Sequence, residues 1–240
     1  MQNEVPAQQL ERYSMADRVA NWLRWSIIKG ELTPGTRLTE ARIKEAFNVS
    51  ATPVREAFRI LQVENLLVHN AYSGVTVAEI SPKYLSDVCE MRTLVDLFSF
   101  DLIMKNLTPE GLNKLKATLD QVKQFDPQNI HINNSAEAEK FVLTELEFHA
   151  CVSSLTGNYE IEATMRNLCK KAHIFRLMMA TTFAQSTRLN DTIHELEDIY
   201  DAISNRDKAA FEAAIRTHYE RSRTESYRFA QEHSSFAMES

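Results

Sequence analysis

The sequence predicts a mostly α-helical protein with a small N-terminal domain and a larger helical bundle. Glycine and proline are scarce, at 5 and 6 of 240 residues, so few residues interrupt helices. Apolar residues recur at helical spacing along most of the chain, and the breaks between periodic stretches are short. Only residues 66–77 show the short apolar runs and the glycine turn of a β-hairpin. We therefore predict two domains, at residues 1–80 and 81–240.

The N-terminal domain is predicted to begin with two helices joined by a turn. Apolar side chains repeat at helical spacing over residues 12–29, and Gly30 ends this first helix. Thr39 is placed to cap a second, short helix over residues 40–47. Asn48 follows, and asparagine tolerates the left-handed backbone that a tight turn between helices requires.

A third helix is predicted to begin at Ser50 or Thr52, either of which can cap it. Pro53 lies in its first turn, where a missing N–H costs nothing. One face carries apolar residues at positions i, i+4 and i+7 and is predicted to be buried. Arg55 and Arg59 lie four residues apart on another face.

A β-hairpin is predicted to follow the third helix. Asn65 ends the helix, and residues 66–68 and 75–77 form two strands around a tip at residues 69–74. Helix, turn, helix and hairpin in this order predict a winged helix-turn-helix, which presents one helix to a DNA groove.

The larger domain is predicted to be an antiparallel α-helical bundle. Its helices are separated by breaks at proline, glycine and asparagine, and the longest break lies at residues 126–135. Short connections favour antiparallel packing of neighbouring helices. The predicted helices cover residues 83–105, 108–125, 136–156, 158–184, 188–205 and 207–232.

The composition predicts a cytoplasmic protein with reduced thiols. The 3 cysteines are an odd number and show no C-x-x-C spacing. The N-terminal residues are polar and acidic, unlike a signal peptide. The longest apolar stretch, residues 94–104, is interrupted by Asp96 and Asp101, so we expect no membrane-spanning segment.

The net charge of −6 is unevenly distributed along the chain. Residues 1–80 contain equal numbers of acidic and basic side chains, so the whole excess of negative charge lies in residues 81–240. Phosphate binding depends on a local basic face and not on the total charge. The total therefore does not exclude nucleic-acid binding by the N-terminal domain.

Residues 38–77 resemble the DNA-binding domain of the GntR family of bacterial transcription regulators. The sequence SATPVREAF at residues 50–58 is close to the family pattern SRTPVREAL, and LTE at 38–40 and SGVTV at 73–77 extend the match. The helical remainder resembles the FadR-type branch, which carries an all-helical, FCD-like effector domain. The resemblance implies a homodimeric regulator, a repressor more than an activator. Such a regulator binds palindromic double-stranded DNA and responds to a small metabolite, an organic acid in particular.

The third helix offers donors that suit DNA. Arg55 can reach a phosphate or a guanine edge, and Thr52 can offer a hydroxyl to a phosphate. Gly74 lets the hairpin approach the sugar-phosphate backbone closely. The alternative for Arg55 is a solvated helix face, and the family's arginine after the serine is Ala51 here. We predict that DNA is contacted by Arg42, Ser50, Thr52, Arg55, Arg59, His69, Ser73 and Gly74.

Two motifs of the bundle resemble the metal-binding motifs of this branch. ELEFH, which ends at His149, resembles D-x-x-F-H, and residues 202–218 resemble A-I-x-x-x-D…H. The resemblance implies that Glu145, His149 and His218 bind one divalent metal such as zinc. The family's middle histidine falls on Leu196, but three ligands and an exogenous group can still hold zinc. The alternatives are a neutral histidine paired with the carboxylate, or an organic effector bound without metal.

Two arginines and one histidine-containing stretch of the bundle carry further predictions. Arg92 and Arg176 resemble the pocket arginines of carboxylate-sensing relatives, and each is predicted to pair with an anionic effector or to form a structural salt bridge. The stretch HELED at residues 194–198 lacks the second histidine of H-E-x-x-H, so we predict a solvated helix face there.

Two rival classes of function use the same helical pocket, a metal-dependent enzyme and a protein-binding scaffold. The chain lacks the sequences G-x-G-x-x-G, G-x-x-x-x-G-K-[ST] and G-x-S-x-G. Glu145 and His149 could form an acid/base pair, but no nucleophile accompanies them in the sequence. The prediction is therefore a regulator and not an enzyme.

Overall fold

The computed structural model describes residues 14–70, 74–78, 82–126, 135–182 and 186–232. The chain divides into two compact units, residues 1–79 and 80–240. Helices dominate the described residues and the strands form one small sheet, which confirms the predicted fold class. Within these residues no helix has both the length and the apolar content needed to cross a bilayer.

The described residues of the first unit form three helices and a three-stranded sheet. The sheet has the order β1-β3-β2, with antiparallel neighbours. The two-residue strand β1 was not predicted, because a strand this short has no recognisable period and is defined by its pairing with β3. The elements are α1 (Met15–Ile28), β1 (Arg37–Leu38), α2 (Glu40–Phe47), α3 (Ala51–Val63), β2 (Leu67–Asn70) and β3 (Gly74–Val77).

Local sequence signals set the helix ends in this unit. The Thr39 side chain accepts a hydrogen bond from the Arg42 N–H, as expected of an N-cap. Asn48 and Asn65 adopt left-handed backbone angles, with φ of 50° and 59°, which confirms the predicted turns. Ser50 is the N-cap residue of α3, but its side chain makes no capping hydrogen bond.

The core of the first unit lies between α1 and α3. The predicted apolar face of α3 is buried at Val54, Phe58 and Leu61, and it packs against α1. Arg24 of α1 also forms a half-buried ion pair with Glu64, the C-cap residue of α3, at 2.6 Å. This packing holds α3 at a fixed angle while its polar face stays at the surface.

The second unit is all helical in the described residues, and its helices begin and end within a few residues of the predicted bounds. α4 packs against α7 and α9, α6 packs against α5 and α7, and α8 packs against α9. The helices are α4 (Pro82–Asn106), α5 (Pro109–Lys123), α6 (Ser135–Ser154), α7 (Tyr159–Thr182), α8 (Ser186–Ser204) and α9 (Lys208–Glu232).

Candidate functional site

The first candidate site is the exposed polar face around α3, which we call the α3 surface. Of the predicted DNA contacts, six are exposed, Gly74 is half-buried, and Ser73 lies outside the described residues. Gly74 has a φ of 75°, a left-handed angle that disfavours any residue with a Cβ. The exposed members are Arg42, Ser50, Thr52, Arg55, Arg59 and His69.

The start of α3 has free hydrogen-bonding groups. The Ser50 side chain makes no capping hydrogen bond. The first N–H groups of α3 therefore receive no hydrogen-bond acceptor from Ser50. The N-terminus of a helix attracts anions through these N–H groups and the helix dipole. Ala51 and Thr52 can offer such N–H groups to a phosphate, whereas Pro53 has none.

Arg55 is held by a carboxylate that the sequence analysis missed. Its Nε donates to both carboxylate oxygens of Glu40, each at 2.9 Å. Glu40 is the first residue of α2, fifteen positions earlier, and no spacing rule links the two helices. Because only Nε is engaged, the two terminal nitrogens of Arg55 can still bind a guanine edge or a phosphate.

The second candidate site lies inside the helical bundle, and we call it the charged core. It brings together ionisable side chains from five helices that are almost fully removed from solvent. Such groups need partners, because burial of an unpaired charge is costly. Its members are Arg92, Asp96, Glu145, His149, Arg176, Glu195, His218 and Tyr219.

The predicted metal ligands are brought together in this core. One donor atom from each of Glu145, His149 and His218 lies within 4.8 Å of the others. However, Nη2 of Arg176 donates to both oxygens of Glu145 at 2.6 Å. The Nε2 atoms of the two histidines are 3.1 Å apart and hydrogen-bond to each other.

Further polar contacts orient the two histidines. Nδ1 of His218 lies 2.9 Å from a carboxylate oxygen of Glu195, and Nδ1 of His149 lies 3.2 Å from the Tyr219 hydroxyl. That hydroxyl donates to Asp96 at 2.7 Å. Sequence reasoning missed Asp96, Glu195 and Tyr219, although Asp96 was visible as a break in an apolar stretch.

The predicted solvated face at residues 194–198 is wrong at two positions, Glu195 and Leu196, which are buried. His194 is exposed, but Glu195 is only 6% exposed and pairs with His218 and with Arg221. Leu196, at the family's middle histidine position, is fully buried. The α8 residue that contacts His218 is therefore Glu195, one position before Leu196.

Burial and neighbouring charges shift the pKa values in the charged core. Burial raises the pKa of Glu145, but Arg176 and His218 outweigh it, so the pKa ends below its ordinary value. Burial and the nearby Arg92 place the pKa of His149 well below its ordinary value. His149 is therefore neutral at pH 7.

Two other groups in the charged core resist ionisation as well. Burial lowers the pKa of His218, although Glu195 opposes the shift. Burial raises the pKa of Asp96 to about 7, against the hydrogen bond from Tyr219 and the charge of Arg92. Glu145, whose pKa is lowered, is by contrast ionised next to Arg176.

Glu145, His149 and His218 form a possible metal site, but neighbouring positive charges oppose a resident divalent cation. Arg176 holds both oxygens of the only carboxylate in the group. Arg92 places a second buried guanidinium in the same core, and a cation would be repelled by both. The three donors are suitably close, but a metal would share the Glu145 carboxylate with Arg176.

Arg92 is the least satisfied member of the charged core. Its guanidinium carbon lies 4.8 Å from the centre of the Tyr219 ring, and its side chain is 2% exposed. Its Nε and Nη2 atoms are buried without a hydrogen-bond partner among the described residues, and the same is true of Arg176 Nε. Buried donors in native proteins are nearly always paired, so these atoms can accept a further hydrogen-bonding partner.

Comparisons with known proteins match both units of the chain. The family model for bacterial regulatory proteins of the gntR family matches residues 15–77, and the FCD domain model matches residues 87–221. The chain is 29% identical to the gluconate operon transcriptional repressor of Bacillus subtilis, over 85% of this chain and 82% of that protein. It is 33% identical to the transcriptional regulator McbR of Escherichia coli, over 48% of this chain and 52% of that protein.

Solved structures show the same architecture. The chain superposes on E. coli McbR/YncC with a TM-score of 0.63 at 20% identity, covering 90% of this chain and 99% of that one. Lar, which controls expression of the agr system of Listeria monocytogenes, gives a TM-score of 0.65 at 17% identity, with 91% and 99% covered. At these identities the likeness establishes the fold.

Proposed function

Since this chain belongs to the gntR family of bacterial regulatory proteins and carries an FCD domain, we propose that it is a ligand-controlled repressor that binds a palindromic operator. Proteins of this family regulate transcription by binding operator DNA, typically as dimers, and respond to small effectors. Repression is favoured because several relatives are named repressors. We propose that it acts in the cytoplasm, where the chromosome is.

The α3 surface supports DNA contact by Arg55 above all. Glu40 fixes Nε of Arg55, and the terminal nitrogens project from an exposed side chain. Two parallel donors match N7 and O6 of guanine. The free N-terminus of α3 next to Ser50 supports a phosphate contact that fixes the helix in the groove.

A gel-shift titration with the DNA upstream of the protein's own gene tests this part. We expect Arg55→Ala to weaken binding by about 10- to 100-fold, because a bidentate contact is worth ~1–3 kcal/mol. Lys114→Ala is the matched control, since it removes one exposed positive charge from the bundle. Equal binding by wild type and Arg55→Ala at low salt would rule out the proposed contact.

For the effector we propose an organic acid whose carboxylate accepts hydrogen bonds from Arg92. The observation that supports this is the pair of orphan donors on a buried guanidinium. Arg176 is already paired with Glu145, so it contributes its free Nε and the positive field of the core. A planar carboxylate matches the fork of Arg92 and neutralises its charge.

A thermal-shift screen with small organic acids tests the effector proposal. Gluconate belongs in the panel, because one relative is a gluconate operon repressor. We expect at least one acid to raise the melting temperature of the wild type, and the rise to vanish in Arg92→Met. If the rise persists in that variant, Arg92 does not bind the acid.

Our proposal includes no resident metal in the charged core, and a measurement of metal content tests this. Metal content of the purified wild type and of His149→Ala is measured by mass spectrometry. We expect less than stoichiometric zinc in both, because the buried guanidinium groups of Arg92 and Arg176 repel a cation. One equivalent in the wild type that is lost in His149→Ala would instead establish the three-ligand site.

A further inference from the structure

Ala51 is the first residue of α3 and lies next to Arg55 on the helix. Its side chain is half-buried, whereas Arg55, four residues later, is exposed. Residues four apart on a helix are neighbours on one side of it. The methyl group of Ala51 and the guanidinium of Arg55 therefore belong to the same part of the α3 surface.

The side chain of Ala51 is one apolar methyl group without a hydrogen-bonding atom. The family pattern has arginine at this position, and arginine can donate to a guanine edge. A methyl group can distinguish bases in the major groove only through apolar contact. Thymine is the base that presents an apolar group there, its C5-methyl.

The residues on either side of Ala51 suit contact with the DNA backbone. Ser50 and Thr52 are exposed, and each carries a hydroxyl that can hydrogen-bond to a phosphate. Such contacts fix the position of a helix without recognising the sequence. They seat the start of α3 in the groove, where the Ala51 methyl can approach the edges of the bases.

The ion pair between Arg55 and Glu40 gives a contact by Ala51 a defined distance from the guanine. Both oxygens of Glu40 accept from Nε of Arg55 at 2.9 Å, so the direction of the guanidinium is fixed. Four residues of an α-helix rise about 6 Å. Successive nucleotides of a DNA strand are about 3.4 Å apart along the axis. A base beside Ala51 therefore lies about two base pairs from a guanine bound by Arg55.

We propose that Ala51 recognises a thymine of the operator through the C5-methyl group, about two base pairs from the guanine that Arg55 contacts. The inference rests on the proposed function, because it concerns the operator that α3 is proposed to contact. A base without the C5-methyl group gives the Ala51 side chain no apolar partner. Ala51 thus sets an operator preference by a contact that needs no hydrogen bond.

Replacement of thymine by uracil tests the contact, because uracil pairs with adenine and lacks only the C5-methyl group. The probes are duplexes that the full-length protein selects from a pool of random sequence, and each thymine of a half-site is replaced in turn. We expect one replacement near an essential guanine to weaken binding by the wild type about fourfold, the effect of one buried methyl group. Gel-shift titrations measure it.

Two substitutions of Ala51 remove or exchange the preference. Ala51→Gly should bind the thymine and uracil duplexes equally, and comparison within this variant cancels any general effect of glycine on α3. Ala51→Arg should instead prefer guanine at this position by about tenfold, because arginine binds that base through two hydrogen bonds. Ala209→Gly is the matched control, since it removes an exposed methyl group from the first turn of α9 and should keep the uracil effect.

The outcomes separate this inference from the proposed function. A wild type that selects no sequence overturns both. If the selected sequence depends on Arg55 but no uracil replacement weakens binding, the regulator proposal stands and the Ala51 contact is overturned. An equal uracil effect in Ala51→Gly overturns the contact, as does a retained thymine preference in Ala51→Arg. A uracil effect that Ala51→Gly loses and Ala209→Gly keeps establishes it.

Discussion

The α3 surface and the charged core use the same residue types in opposite environments. On the α3 surface, Arg55 is 62% exposed and its partner Glu40 is 41% exposed. In the charged core, Arg176 and Glu145 are 6% and 1% exposed. An exposed ion pair contributes little to stability, whereas breaking a buried one leaves an uncompensated charge.

Because of this difference, DNA contact and stability depend on different residues in the first unit. In the second unit the charged core bears on both stability and the proposed ligand binding. A side chain on the α3 surface can change without unfolding the protein, so operator specificity is free to vary. A side chain in the charged core contributes to the packing of the bundle, and in our proposal also to its response to a ligand. The two regions should therefore respond differently to matched substitutions.

The largest effect is expected at Glu145. Glu145→Gln leaves Arg176 buried without its counter-ion, and we expect the free energy of unfolding to fall by about 3–5 kcal/mol. Urea denaturation measures it. The double variant Glu145→Leu/Arg176→Met removes both charges and should recover most of the loss. If the single and double variants are equally unstable, the charge pairing is not the cause.

A smaller effect of opposite sign is expected at Arg92. Arg92→Met removes two buried donors that have no partner, so the ligand-free protein should gain about 1–2 kcal/mol of stability. Urea denaturation without added acids checks this gain. A loss of stability would mean that Arg92 holds the core together and is not reserved for a ligand.

The smallest effect is expected at Glu40, and it concerns specificity. Glu40→Ala frees Arg55 from its anchor, and we expect the preference for operator over unrelated DNA to fall about fivefold, or ~1 kcal/mol. The melting temperature should barely change, because the pair is exposed. Competition gel shifts measure the preference.

Glu45→Ala is the matched control for Glu40, since it removes an exposed carboxylate from the same helix. Both changes reduce repulsion of DNA, so both should strengthen binding to unrelated sequences. If the two variants lose specificity equally, Glu40 acts only through its charge and does not position Arg55.

The elements of the fold could be predicted well because their signals are local. Thr39, Asn48 and Asn65 mark helix ends through their own side chains or backbone preferences, and the structure confirms all three. Strand β1 was missed because its two residues form a strand only through β3. Glu195 was misplaced because its burial depends on the packing of α8 against α9.

By itself, the sequence determined the class of this protein, the order of its elements and the residues that face outward on α3. Helical period, caps and turns are properties of neighbouring residues, so they can be recognised without knowledge of the packing. Only the tertiary structure decided the partners of the charged side chains. It joined Arg55 to Glu40 and Arg176 to Glu145, because such pairs form between different helices. It also left two buried nitrogens of Arg92 without an acceptor among the described residues.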